Sequence, residues 1–292
     1  MGRQYNHGAD GDKEGIESTI MGVKSAKYLF SHWNKIKAAI KGKFVYIFLD
    51  FDGTLAPIAK TPGAAFIPRE TRRLLLALSG MPNCKLAIVS GRALKDVEKK
   101  VGIKNRIVFV GNHGFEIKGP EIKFRSPVEP EYMKLLKKIR VRLEKNLSSV
   151  KGVFTEDKGF SLSLHYRAAD RNDVPKIRAE FYAAIVSCEA KKKVSVITGK
   201  KILEIRPPVA WDKGKAVLWL LARHKSGARY KKKEVVPVYI GDDKTDEDAF
   251  KSLKGKAITI FVGRALNTKA RFYLKDTPEV TDFLKVALKN MN

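Results

Sequence analysis

Cysteine is nearly absent: Cys84 and Cys188 are the two in 292 residues. Two cysteines give neither a zinc spacing nor a disulfide framework, which excludes a stapled secreted scaffold and fits a reducing, cytoplasmic setting. No run of about 18 apolar residues occurs, so no transmembrane helix is expected. The opening MGRQYNHGADGDKEG lacks the apolar core of a secretion signal. Residues 1–24 read as a disordered tail. Acids are scarce beside bases, 31 against 58, leaving a net charge of +27. That excess invites a nucleic-acid partner. Yet the lysines are spread along the chain, with the densest clusters at 191–193 and 231–233, and no aromatics interleave them as in single-strand or RNA readers. The charge is read as a solvated basic surface that can steer anionic small molecules. A small-molecule substrate, no specific nucleic acid, no membrane and a monomeric state are the expectations.

What is present is a rhythm. SAKYLFSHWNKIKAAIKGK (25–43) has Leu29, Trp33, Ile36 and Ile40 at helical spacing. FVYIFLD reads as a buried strand, PRETRRLLLALSG (68–80) as a helix with both boundary signals, and KLAIVSGR (85–92) as a second strand. A helix at 93–102 and a third strand, IVFVGNHG (107–114), follow. Strand-helix alternation argues a parallel sheet covered on both faces, a Rossmann-like α/β core. After about residue 118 the rhythm changes. A long amphipathic helix plus the hairpin KGVFTEDKGFSLSLHYR is followed by a second helix plus the hairpin KVSVITGKKILEIRP. The alternation resumes with DKGKAVLWLLARH, VVPVYIGDD, TDEDAFKSL and AITIFVG. The expected organisation is a core made of 25–118 and 207–292, interrupted by an α+β insert over 119–206.

Ligands of an open parallel sheet sit outside the carboxyl ends of its strands. Four strands here end in polar residues: Asp50 and Asp52; Ser90-Gly91-Arg92; Asn112-His113-Gly114; and Gly241-Asp242-Asp243. Clustering Asp50, Asp52, Asp242, Asp243 and Asp246 at one rim calls for a cation. An all-oxygen set with few direct contacts points to Mg2+, and no Cys/His cluster competes for zinc. A carboxylate can also accept a phosphoryl group. A second carboxylic acid two residues on lies on the same side of an extended chain and can protonate the leaving alkoxide. Gly53 permits a sharp turn whose amides face phosphate oxygens. Ser90 and Lys213 could hold the remaining ones. Each motif alone has an ordinary explanation: an Asp-x-Asp after a strand is turn or cap chemistry, and GDDKTDED is an acidic helix start or a calcium-like loop. Their order and strand-end placement together argue against coincidence.

DFDGTL, VSGR, DKGKA and GDDKTDED, in that order, resemble the four motifs of the haloacid-dehalogenase-like phosphatases. FLDFDGTLAPI, VGNHGFEI, EDKGFSLSLHYR, LEIRPPVAWDKGKA and YIGDDKTDEDAF are similar to the trehalose-6-phosphate phosphatase family, from about residue 44 to the C-terminus. The resemblance implies Asp50 as nucleophile and Asp52 as general acid/base. It implies Asp50, the backbone carbonyl of Asp52 and Asp242 as Mg2+ ligands. Asp246 and Asp243 share, unranked, a supporting role to the metal or to Lys213. Thr54, Ser90 and Lys213 would hold phosphate, and Arg92 would join the substrate contacts. The insert would be a cap closing over a sugar, with Glu156 and Lys158 at a hairpin tip to meet hydroxyls. Glu204, a carboxylate in the apolar strand KILEIRPP, must face a ligand or an arginine. Asn112, His113, Glu116 and, more weakly, Arg125 flank the passage into the cap. No glycosyltransferase-like segment precedes the motifs, so a stand-alone phosphatase is expected. Two other readings stay open: a phosphatase of sucrose 6-phosphate or a glycosyl-phosphoglycerate, and a basic polyanion-binding protein on the same scaffold.

Overall fold

The strand Phe44–Leu49 is apolar on both faces: Val45, Ile47 and Leu49 enter one buried cluster, Tyr46 and Phe48 another. Such a strand belongs in the middle of a covered parallel sheet. The computed structural model describes residues 26–187, 193–199, 201–209, 211–226, 234–265 and 267–291. The expected tail at 1–24, Cys188 and the lysine run 231–233 lie outside them. Strands among the described residues are β1 (Lys27–Tyr28), β2 (Phe44–Leu49), β3 (Cys84–Val89), β4 (Val108–Gly111), β5 (Glu116–Gly119), β6 (Ile122–Arg125), β7 (Phe154–Asp157), β8 (Leu162–His165), β9 (Ser195–Gly199), β10 (Ile202–Arg206), β11 (Val235–Gly241), β12 (Ile258–Val262) and β13 (Phe272–Leu274). Helices are α1 (Trp33–Ile40), α2 (Arg69–Ser79), α3 (Leu94–Val101), α4 (Pro130–Asn146), α5 (Val174–Ser187), α6 (Lys213–Ser226), α7 (Asp246–Ser252) and α8 (Thr277–Met291).

The large sheet runs β1-β13-β12-β11-β2-β3-β4-β5-β6, parallel from β1 to β4. Helices α1, α2, α3 and α8 cover one face through Ile36, Leu75, Val97 and Phe283. The other face takes α6 and α7 through Val217, Leu220 and Phe250. The chain winds outward from β2 to β4 in one direction and from β11 to β13 in the other. Neighbours β2 and β11 therefore form the switch point, and the loops after Leu49 and Gly241 diverge there to leave a crevice.

The insert is a separate antiparallel sheet, β7-β8-β10-β9, with α4 and α5 packed on one face. Leu162, Leu164, Leu203 and Ile205 point into that packing. Alternation sends Glu156, Ser163 and Glu204, a single cross-strand row, to the opposite face.

Two expectations need correction. The helix expected over 25–43 is confined to a 3-10 turn at Phe30–His32 and an α-helix at Trp33–Ile40. Lys27–Tyr28 instead pairs in parallel with Phe272–Tyr273, because the amides of Lys27 and Leu29 donate to Arg271 O and Tyr273 O and the Tyr28 hydroxyl donates to Glu279 at 2.8 Å. The expected start of the insert at residue 119 falls inside a hairpin. β5 and β6 turn back at Gly119–Ile122 and stay hydrogen-bonded to the large sheet, so the insert's own elements run from α4 to β10.

Candidate active site

β2 delivers Asp50 to the switch point, where its amide donates to Ile240 O at 2.9 Å and its side chain is buried. Lys213, the first residue of α6, is also buried, and its Nζ donates to Asp50 Oδ1 at 2.7 Å and Asp246 Oδ1 at 2.9 Å. Burial opposes the ammonium charge, but Asp246 and Asp50 outweigh it and raise the Lys213 pKa well above the usual lysine range. Asp246 Oδ1 also accepts from the Tyr239 hydroxyl at 2.7 Å, and Oδ2 accepts the amides of Asp242 and Asp243 at 3.0 and 3.1 Å. Asp246 thus fixes the loop that carries Asp242. Asp243 is turned to its own loop, accepting from the amides of Thr245 and Asp246. This ranks the pair left open above: Asp246 braces Lys213 at 2.9 Å, while Asp243 stands 3.8 Å from it.

Asp50, Asp242 and Asp246 bring carboxylate oxygens within 4.8 Å of one another. Burial, then the charges of Asp246 and Asp243, push Asp242 up to about 8. Burial raises Asp50 well above the carboxylate range against the pull of Lys213. One lysine does not balance these carboxylates, and a hard cation with oxygen ligands fits the set. Both oxygens of Asp246 are already engaged, which leaves Asp50 and Asp242 as the carboxylates to hold it. Gly53 makes the close approach possible: its φ is +84°, and a Cβ there would stand 2.1 Å from Asp242 Oδ2. Thr54 is buried with Oγ1 3.5 Å from Asp242 Oδ1, and Ser90 Oγ accepts the Arg92 amide at 3.1 Å.

Asp52 lies beside this cluster, gripped by Arg92 through Nε–Oδ2 at 2.6 Å and Nη2–Oδ1 at 2.7 Å. The remaining Arg92 nitrogen donates to Asp96 Oδ2 at 2.7 Å. The guanidinium expected to contact substrate is therefore occupied by two carboxylates of the core.

The polar face of the insert meets the core here. Asn112 Nδ2 donates to Glu116 Oε2 at 2.8 Å and to Lys158 O, at the β7–β8 tip, at 3.1 Å. Asn112 and His113 both have left-handed φ, 50° and 56°, unusual for residues with side chains. His113 is buried against Gly91, and its Nε2 meets Arg206 Nη2. Burial lowers its pKa to about 4, so a neutral ring accepts that bond. Glu204 accepts from Ser161 Oγ and Arg206 Nη2, both at 2.7 Å, and from Lys158 Nζ at 3.4 Å. Burial penalises this carboxylate, yet the charges of Lys158 and Arg206 hold its pKa well below the usual value. The odd acid in KILEIRPP thus faces an arginine and a lysine. Glu156, beside it, is held by His165 Nε2 at 2.8 Å. Arg125 is not drawn into the crevice: its side chain is 69% exposed at the core–insert seam, stacked on Phe160 and 3.9 Å from Glu116.

A family model described as trehalose-phosphatase matches residues 48–278, from the end of β2 to the start of the last helix. The chain belongs to the trehalose-phosphatase family. Trehalose-phosphate phosphatase B of Arabidopsis thaliana is 36% identical, with 97% of this chain and 76% of that protein aligned. A trehalose-phosphate phosphatase of Mycobacterium tuberculosis is 35% identical over 81% of this chain and 59% of its own length. The C-terminal domain of C. albicans trehalose-6-phosphate phosphatase superposes with a TM-score of 0.74 at 25% identity, over 91% of this chain and 99% of that one. As a trehalose-phosphatase family member the protein is a phosphatase on a haloacid-dehalogenase-like fold.

Within this family's frame, four neighbours of the site escaped the motifs. Tyr239 sits mid-strand in an apolar run and carries no polar signal. Arg206 lies two residues after Glu204, on the same strand face, a legible spacing. Asp96 is one helical turn beyond Arg92, a legible i,i+4 pair. Trp211 ties the segment before α6 to the β4 end by donating to Gly114 O at 2.8 Å.

Proposed function

We propose that the protein hydrolyses trehalose 6-phosphate to trehalose and inorganic phosphate through a phosphorylated Asp50. The observation that carries this reading is the buried Lys213–Asp50 ion pair at the sheet's switch point, beneath the polar face of the insert. Asp50 Oδ1 is fixed by Lys213, and no hydrogen bond to Oδ2 occurs among the described residues. That oxygen attacks phosphorus while the bond from phosphorus to the sugar oxygen breaks, with Asp52 giving its proton to the departing alkoxide. Asp52 then takes a proton from the water that cleaves the aspartyl-phosphate, which regenerates Asp50 and releases phosphate. Lys213, Thr54 and Ser90 hold the phosphoryl oxygens, while the Gly53 amide, expected to join them, donates to Ala56 O at 2.7 Å. Asp50, Asp242 and the Asp52 carbonyl would hold Mg2+, which when bound neutralises the carboxylates and the phosphate so that two anions can meet.

The insert acts as the cap, and Glu156, Lys158, Glu204, His113, Asn112 and Glu116 form the polar wall that meets the sugar. Relatives named for trehalose phosphate support the disaccharide, and the hydroxyl-matching row Glu156–Ser163–Glu204 suits it. A small-molecule substrate, a monomer and a cytoplasmic setting belong to the same reading. Among the described residues no helix is long and apolar enough to cross a membrane.

Phosphate release across trehalose 6-phosphate, sucrose 6-phosphate, glucose 6-phosphate, a glycosyl-phosphoglycerate and an aryl phosphate tests the proposal, with Asp50→Asn as blank and EDTA as a parallel arm. Preference for trehalose 6-phosphate, lost in Asp50→Asn and on chelation, is the expected outcome. Preference for another sugar phosphate would overturn the sugar assignment. Activity in Asp50→Asn would overturn the nucleophile.

A further inference from the structure

Arg92 is 7% exposed, yet it makes no contact that a phosphate or sugar could simply replace. Its Nε and Nη2 form a two-pronged grip on Asp52, at 2.6 and 2.7 Å. Its Nη1 is held from behind by Asp96 at 2.7 Å, and its guanidinium lies 5.1 Å from the centre of the Phe51 ring. Asp96 stands in the first turn of α3, and Phe51 is the residue between Asp50 and Asp52. Apart from Asp52, the guanidinium is thus held by Asp96 of α3 and by the buried Phe51 ring. Asp52, in contrast, is loosely housed: its side chain is 42% exposed, and no other hydrogen bond to it occurs among the described residues.

Resting on the phosphatase reading above, we propose that Asp96 and Arg92 form a positioning relay that sets the orientation of Asp52, the proton donor to the leaving alcohol. A planar fork with two parallel N–H···O bonds fixes both the place and the plane of a carboxyl group while leaving an outward lone pair of either oxygen to carry the proton, which a point charge such as lysine does not. A proton donor must lie within hydrogen-bond reach of the leaving oxygen, and a short polar side chain with 42% exposure has several rotamers that do not. The relay selects one. The negative charge of Asp96 keeps the guanidinium from turning away toward the phosphate bound at Asp50. The charge of Arg92 reaches Glu156 of β7, where burial raises the carboxyl but the His165 hydrogen bond, Lys158 and Arg92 hold it below the usual range.

This role separates from phosphate binding by its dependence on the leaving group. An alkoxide needs a proton as it departs, whereas a nitrophenolate does not. The experiment is a rapid-quench single turnover of wild type, Arg92→Lys, Arg92→Gln and Asp96→Asn, on trehalose 6-phosphate and on p-nitrophenyl phosphate, with KM measured in steady state. Arg92→Gln is expected to slow cleavage of the sugar phosphate by about 10²-fold, the low end for loss of a general acid. Release of nitrophenolate should stay within about 3-fold, below the smallest such effect. Arg92→Lys, which keeps the charge and loses the fork, should resemble Arg92→Gln, and Asp96→Asn should fall in the same direction by less. Equal slowing on both substrates, or a rise in KM with the cleavage rate kept, would overturn the relay and return Arg92 to phosphate or sugar binding. Full rescue by lysine would also overturn it. If wild type itself shows no Asp50-dependent turnover of either ester, the phosphatase reading fails instead, a result distinct from all of these.

Discussion

Gly53→Ala should leave the protein folded and disable the proposed cation site. Gly53 has a φ of +84°, and a Cβ there would stand 2.1 Å from Asp242 Oδ2 and 2.4 Å from its carboxyl carbon. Ordinary van der Waals contact begins at 3.4 Å, so the carboxylate oxygen must retreat by about 1.3 Å. The backbone cost of a left-handed alanine is about 1–2 kcal/mol. The carboxylate is the far end of a side chain and can rotate, so the clash adds little to the loss of stability. It acts on geometry: a displacement of about 1 Å at a reacting centre costs on the order of 10²-fold in rate. The substitution should therefore lower Tm by a few degrees, in line with about 1–2 kcal/mol in a chain of this size. It should reduce kcat by about 10²-fold and shift the Mg2+ activation curve to higher concentration. Circular dichroism melts and a Mg2+ titration of phosphate release measure the two effects separately. Wild-type activity at wild-type Mg2+ demand would refute the reasoning, because it would mean that the Asp242 carboxylate does not need its place against the turn.

Glu156→Ala should weaken cleavage of the sugar phosphate more than that of a small aryl phosphate, since Glu156 lies on the cap face and away from the Lys213–Asp50 pair; equal losses on both would remove its sugar-reading role. Glu204→Gln removes the counter-charge of Arg206 and Lys158, both largely buried, and one-sided loss of a buried pair costs about 3–5 kcal/mol. Because the folded pKa of Glu204 lies well below 4.5, its stabilisation is present above about 4.5 and is lost as pH falls through the folded value. Urea midpoints of wild type and Glu204→Gln should accordingly differ most near neutral pH and converge in acid. A difference that persists unchanged at pH about 2 would show that the charge is not its source.

The chemistry at the strand ends was legible because it is local. Asp50, Gly53, Ser90, Lys213 and Asp242 occur in short motifs, each next to an apolar run whose burial fixes which way the chain enters the crevice. The two-sheet division was legible for the same reason, as periodicity switches from parallel-strand runs to helix-plus-hairpin pairs. The failures are of one kind. The segment Lys27–Tyr28 has helical spacing but pairs with β13, whose open edge is made by residues some 240 positions away. The hairpin at Glu116–Arg125 continues the large sheet, and its alternation of charge and apolar groups did not show which sheet it would join.

By itself the sequence determined the fold class, the motif order and the residues that carry charge to the switch point, because those follow from periodicity and composition within a few residues. Only the tertiary structure decided how the charges pair. It brought Tyr239 and two backbone amides onto Asp246, separating that residue from Asp243. It set Arg92 on Asp52 rather than on open space, left Arg125 at the seam, and turned Glu204 toward Lys158 and Ser161. Ion pairing depends on distances of about 3 Å between side chains from different elements, and no one-dimensional pattern fixes those.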